Sequence, residues 1–276
     1  MPDVSLVIGA DVHRGWETVR IQRSLEQLAD TFELSVTDRW STTDEPRRIR
    51  AGEPCEIRVD GEPVVTGYVD DVLPEYDGEQ HSITVSGRSA TADLVDCSQG
   101  ERTFNGQPLP AIARTLAGLF GIGVVDRAGA AEPFDKVTLE DGQPYHEFLE
   151  EVARIRAVRL TTDAQGRLVI TRTGTGRAGS ALVLGENIRA ASGTFSMRDR
   201  FSEYVVLGQD KGNDNSWGES VARAEGIAKD SGVNRYRPTL RLAEAKVDIA
   251  ECKQRAKWRR NTAFGRSRGL TYTVDG

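Results

Sequence analysis

The sequence predicts a mainly β protein with an α+β insertion. Three observations carry this reading. The first hundred residues alternate apolar and polar side chains with a period of two, as half-buried antiparallel strands do. Residues 101–178 change to helical apolar stripes mixed with short strands. Residues 179–276 return to strands and add one long helix. The chain has 276 residues, enough for one large or two ordinary domains. Its apolar set is 38%, and counting glycine while leaving out tyrosine gives roughly 46%, an ordinary globular value that excludes a disordered chain.

The strands of the first domain, 1–100, follow in order. Val19 and Ile21 alternate with polar neighbours, and Ser24 to Leu28 reads as a helical turn too short for a helix. Phe32, Leu34 and Val36 alternate with Glu33, Ser35 and Thr37. Ile57 and Val59 do the same. The Asp60-Gly61 pair before Val64-Val65 signals a hairpin, because both positions accept positive φ. Asp77-Gly78 marks another reversal before Ile83 and Val85. The sum is a small barrel or sandwich of about six strands.

In the middle domain, 101–178, Pro108 and Pro110 precede an amphipathic run with Ile112, Leu116, Leu119 and Phe120 on one face. Gly121 stops that run in the C′ position. Ile122 to Val125 is a short strand. Tyr145, Phe148, Leu149, Val152 and Ile155 form a second helical stripe. Two strands, Val158–Thr162 and Leu168–Arg172, flank Asp163-Ala-Gln-Gly166. The glycine-rich run 174–180 has no Gly-Lys-Ser/Thr and reads as a turn between domains, not a phosphate loop. In the last domain, 179–276, Ile188–Gly193, Thr194–Met197, Tyr204–Leu207 and Leu270–Val274 read as strands. Gly208–Gly218 is a polar loop. Ala243–Arg260 is a helix with a thin apolar face of Ala245, Ile249, Cys252 and Ala256, the rest covered by Lys253, Arg255, Lys257, Arg259 and Arg260.

Several pieces of the first domain resemble a known family. They are Arg20–Asp38 (RIQRSLEQLADTFELSVTD) with Arg39-Trp40, Ile49–Gly61 (IRAGEPCEIRVDG), Thr66–Asp70 (TGYVD) and Val85–Cys97 (VSGRSATADLVDC). In this order and spacing they resemble the baseplate hub family of Mu-like contractile-tailed phages. The resemblance implies two tube-like β-barrel domains with the small α+β domain between them. It implies a non-enzymatic homotrimer without cofactors. That ring joins the six-fold tail tube protein to the central spike protein, meets other baseplate proteins, and surrounds a channel through which DNA passes as cargo. It also implies a virion component of the tail baseplate, made in the host cytoplasm. Family members continue with further strands, which leaves closure of the second barrel open for a chain ending at Gly276.

Charge separates strongly along the chain. Residues 1–100 carry 9 Lys+Arg and 20 Asp+Glu, while residues 235–268 carry 11 and 3. The basic segment reads as an assembly contact, and its alternative is a nucleic-acid-binding module acting through 235–268. The expected interface residues are Trp40, Arg47, Arg48, Arg255, Lys257 and Arg259, with Trp40 reading equally as a plug at a barrel end. If the first domain lines the channel, some of its carboxylates would face it and keep DNA from sticking. Three histidines, at 13, 81 and 146, have no metal-ligand spacing. Phe120, Tyr145 and Phe148 fall on apolar stripes, which favours core packing over a glycan groove. The longest uncharged apolar run, Leu116–Val125, is well short of the ~20 residues of a membrane span. The N-terminus does not read as a secretory signal. Three separated cysteines fit a reducing compartment.

Overall fold

The computed structural model describes residues 3–37, 49–76, 81–172, 174, 179, 181–209, 223–243 and 249–274. The chain divides into two compact units. One holds residues 1–153 and 158–172, and the other holds 154–157 and 173–276.

The first unit begins with β1 (Val4–Ile8), β2 (Asp11–His13), β3 (Thr18–Gln22), β4 (Thr31–Thr37), β5 (Pro54–Val59), β6 (Glu62–Tyr76) and β7 (His81–Ser89). They form one antiparallel sheet of seven strands in the order β2-β1-β5-β6-β7-β4-β3. Alternation buries Leu6, Phe32, Leu34, Cys55, Ile57, Val65, Val69 and Val85 in one core. Asp60 and Gly61 take φ of +50° and +85° between β5 and β6, the backbone that a two-residue hairpin of matching twist requires. The β6–β7 register shifts between Val69 and Asp71, a bulge that bends the long strand. Edge strands β2 and β3 do not pair with each other among the described residues. The Asp77-Gly78 reversal lies outside the described residues.

Two expectations change here. The first two strands, β1 and β2, raise the count to seven. Ser24–Leu28 is a bend rather than a helical turn, because the Ser24 hydroxyl accepts from the Glu26 N–H at 3.0 Å and so competes with helical bonding. Asp30 pins this connection. It is buried, pairs with Arg23 at 2.8 Å, and its N–H donates to the Ser89 hydroxyl at 3.1 Å.

The unit continues through α1 (Ala92–Asp96), β8 (Arg102–Pro108), α2 (Leu109–Ala117), β9 (Val124–Asp126), β10 (Pro133–Leu139), α3 (Tyr145–Ile155), β11 (Arg159–Thr162) and β12 (Leu168–Thr171). Antiparallel β8–β10 forms one ribbon, and β11-β12-β9 forms a three-stranded sheet with β9 parallel to β12. All five residues of the second helical stripe are buried. Phe104 stacks on Phe148 at 5.8 Å, and Phe120 meets Tyr145 edge-on at 5.5 Å. Ile112 and Leu116 are buried but Leu119 is exposed. The reason is that α2 tightens into a 3-10 turn over Gly118–Phe120 and swings Leu119 outward. Gly121 ends that turn with φ of +70°.

The second unit holds β13 (Ile188–Phe195), β14 (Glu203–Gln209), β15 (Arg223–Lys229), β16 (Pro238–Leu242), α4 (Ile249–Arg266) and β17 (Arg268–Val274). Antiparallel β13–β17 is a ribbon. A separate three-stranded sheet has the order β15-β14-β16, with β16 parallel to β14. The two expected strands across 188–197 are one strand, β13. The expected helix at 243–260 is shifted: Ala243 is not helical and packs against the small core, residues 244–248 lie outside the described set, and α4 runs on to Arg266. Most of the expected loop 208–218 also lies outside the described set, and Gly208 belongs to β14.

Candidate functional site

The second unit carries the candidate assembly surface, and its sheet-and-helix layer sets the geometry. Tyr204 and Val206 of β14 and Ala224 and Ala228 of β15 point to one side and are buried with Cys252 and Ala256 of α4. Gly226 makes this contact close. A Cβ there would sit 2.1 Å from the carbonyl carbon of Cys252, so the helix backbone lies directly on the strand. Small side chains are therefore enough to fill the layer.

The opposite face of that sheet is different. The register brings Val205 beside Ile227 and Leu240, and Leu207 beside Leu242. Ile227, Leu240 and Leu242 are 46%, 54% and 73% exposed. The β13–β17 ribbon repeats the pattern. Phe195, Leu270, Tyr272 and Val274 are 41–74% exposed. Ser192, Thr194, Thr271 and Thr273 alternate with them along the two strands. A ribbon of two strands is marginal alone in water, and contiguous exposed apolar surface marks interaction sites.

Basic side chains of the 235–268 segment have several internal tasks. The Arg237 guanidinium donates to the carbonyls of Met197, at 2.9 Å, and Arg198, and lies over Phe201 at 4.8 Å. Arg200 and Arg268 lie 4.9 and 4.6 Å from the Phe264 ring centre. Arg200 is itself buried and holds Asp230 in two bonds of 2.8 and 2.9 Å. That guanidinium holds the Asp230 carboxyl below the usual carboxylate range.

The expected interface residues are distributed unevenly. Arg255 is only 9% exposed and belongs to the helix–sheet layer, so it does not cover the outer face as expected; its position three residues after Cys252 turns it inward. Lys257 is exposed, and Arg259 is half-buried. Trp40, Arg47 and Arg48 lie outside the described residues. The apolar faces at Leu240, Leu242 and Leu270 were missed, although the alternation of β16 and β17 carried the signal. Among the described residues no group of three or more His, Cys, Asp or Glu could hold a metal. Among the described residues no helix is long and apolar enough to cross a membrane. Tyr145 and Phe148 are buried, so they line no open groove.

In the first unit, Arg88 bridges Asp70 at 2.6 Å and Asp96 at 2.7 Å beside a cavity of about 350 Å³ lined by Tyr68, Val69 and Ala92. The Arg88 hydrogen bond holds the Asp96 carboxyl below its ordinary value. This cluster ties β6 and β7 to α1.

Comparison with known proteins places each stretch. Residues 3–89 match the family described as Mu phage baseplate assembly protein GpP-like, N-terminal. Residues 91–172 match baseplate hub protein gp44-like, second domain, and residues 200–258 match tail protein NMB1110-like, third domain. The chain is 32% identical over 285 residues to baseplate hub protein gp44 of Escherichia phage Mu, covering 99% of this chain and 74% of that protein. It is 38% identical to the 43 kDa tail protein of prophage MuSo2 from Shewanella oneidensis, with a TM-score of 0.84 over 99% of this chain and 83% of that one. A tail protein from Neisseria meningitidis MC58 shares the fold, with 24% identity and a TM-score of 0.83 over 100% of this chain and 81% of that one.

Proposed function

This chain belongs to the baseplate hub family of Mu-like phages, and from that membership we propose that three copies close into a ring at the tip of the tail tube. The baseplate role itself follows from the family. The ring reading goes further: it joins the six-fold tube protein to the central spike protein, encloses the DNA channel, and lets the spike leave on contraction. In this reading each unit contributes one tube-like barrel wall, completed by neighbouring protein, and the mechanism is mechanical rather than catalytic.

The observation that carries the assembly reading is the pair of uncovered apolar faces in the second unit, on β16 with β14 and β15 and on the β13–β17 ribbon. Such faces are stable when another protein surface covers them. Closed rings of identical subunits are the common way to cover such surfaces without leaving an open end. Native mass is the test. A trimer that co-purifies with tail tube or spike protein supports the ring. A monomer that retards DNA in a gel favours the nucleic-acid alternative instead.

A further inference from the structure

We propose that the cavity beside Arg88 receives a lysine from a second copy of this chain, carried on the Lys253–Lys257 ridge of α4. This rests on the ring reading and names one of its contacts.

The cavity, of about 350 Å³, opens where β6 and β7 meet α1. Tyr68, Val69 and Ala92 supply apolar wall, while Asp70, Arg88 and Asp93 supply polar atoms. The one guanidinium is already engaged on both sides, by Asp70 at 2.6 Å and by Asp96 at 2.7 Å. Asp93 has no such partner: its carboxylate makes no hydrogen bond or salt bridge among the described residues. Asp93 and Asp96 stand three residues apart on α1, so they are neighbours of like charge. Partial burial and the nearby Asp96 push the Asp93 carboxyl upward, as befits a carboxylate without a cation. Three carboxylates against one guanidinium leave the cavity mouth with negative charge in excess.

The chemistry that fits is a long basic side chain, its stem along the apolar wall and its charged head at the carboxylates. α4 offers two. Lys253 and Lys257 are exposed and make no salt bridge among the described residues. They stand one turn apart on α4, again a pair of like charge. The arginines of the helix are less available. Arg255 is buried, Arg259 is half-buried, Arg260 bonds Asn261, and Arg266 has a contact of its own. An acidic pair on one copy and a basic pair on the next relieve each other's repulsion when they meet. The wider charge favours the same contact, since residues 1–100 carry a net charge of −11 and the 235–268 segment +8. The two surfaces differ, so the contact runs head to tail, which makes a ring when the rotation closes.

Sedimentation equilibrium on the full chain, at 0.1 and 0.5 M NaCl, tests this by exchanging charges. Asp93→Lys and the double change Lys253→Glu with Lys257→Glu should each raise the subunit dissociation constant by about tenfold or more, with a smaller effect at high salt. Combining D93K with K253E or with K257E should bring it back toward the wild-type value. If D93K lowers the helix signal in circular dichroism, Asp93→Asn with K253Q/K257Q reads the same contact as a cycle. The combined neutral variant then weakens assembly no more than either part, and additive losses overturn the site. Rescue by neither glutamate overturns it. Assembly unchanged by D93K and by K253E/K257E overturns the site and leaves the ring reading intact. Unchanged assembly with weaker DNA retention in the lysine variants assigns the ridge to phosphate and also overturns it. An exchange that restores stability to a monomer without changing its mass places the pair within one chain, which likewise overturns a site filled by a second copy. A wild-type chain that stays monomeric at every concentration overturns the site and the ring together.

Discussion

Gly226→Ala tests how closely α4 is seated. The added Cβ would lie 2.1 Å from the Cys252 carbonyl carbon and 2.2 Å from the Lys253 nitrogen. Ordinary contact begins near 3.4 Å, so the helix must retreat by about 1.3 Å. Both clashing atoms are backbone, so no side-chain rotation relieves them. A radial gap of about 0.5–1 Å already removes a quarter to a half of each dispersion contact, and here the gap would open along Val206, Ala224, Ala228, Cys252 and Ala256. Overpacking of this kind costs about 1–3 kcal/mol, and the lack of any soft neighbour puts this site at the upper end. The stiffer unfolded chain returns only about 0.4–1 kcal/mol, so the net loss should be about 2 kcal/mol. Gly265→Ala is the matched control. It lies in α4 with nothing within 4 Å of an added Cβ, so helix propensity should stabilise it by up to about 1 kcal/mol. Urea titration followed by helix circular dichroism reads both. If G226A unfolds at or above the wild-type midpoint, the close helix–strand seat is wrong.

Two further changes probe the same unit. Asp230→Asn leaves Arg200 buried without its charge partner and should cost about 3 kcal/mol at neutral pH. Because Asp230 is held below its ordinary range, its contribution is complete above about pH 4 and is lost as pH falls further, since the unfolded chain takes up the proton first. The stability gap between wild type and D230N should therefore narrow toward pH 3, and a constant gap in acid urea titrations would contradict this. Leu240→Asp with Leu242→Asp alters exposed positions, so monomer stability should move by no more than about 0.5 kcal/mol, while the native mass should fall to that of the monomer. An unchanged oligomer would remove the β16 face from the assembly surface.

The sequence revealed the elements whose burial follows a simple period. β4, β5 and β7 alternate cleanly, and the α3 stripe from Tyr145 to Ile155 needed only 3.6-residue spacing. β8 and β10 did not announce themselves. Arg102–Pro108 contains Asn, Gly and Pro and buries only Phe104 fully, so neither period nor propensity marks it. The bounds of α4 were obscured for a related reason. Close approach at Gly226 lets Cys252 and Ala256 complete the contact without large apolar side chains, and the same stripe carries Arg255 and Arg259. Their spacing from Cys252, at three and seven residues, was visible; hydropathy hid it because a charged side chain was read as an outer face.

That stripe changes what the basic segment can do. Eleven Lys and Arg between 235 and 268 would, if all met phosphate, give a DNA affinity falling with salt at a log–log slope of about −10. Arg237 and Arg268 are committed to carbonyls and aromatic rings, Arg255 is buried, and Arg260 bonds Asn261. Arg266 also has a contact of its own. Arg235, Arg241, Lys253, Lys257 and Arg259 remain to meet an outside anion among the described residues. Any DNA retention by the chain should therefore show a slope of only about −4 to −5. Titrating retention on duplex DNA between 50 and 200 mM salt measures it directly. A slope near −10 would mean that the internal contacts of Arg237, Arg255 and Arg268 give way to phosphate, and the segment would then be a nucleic-acid surface rather than part of the folded layer.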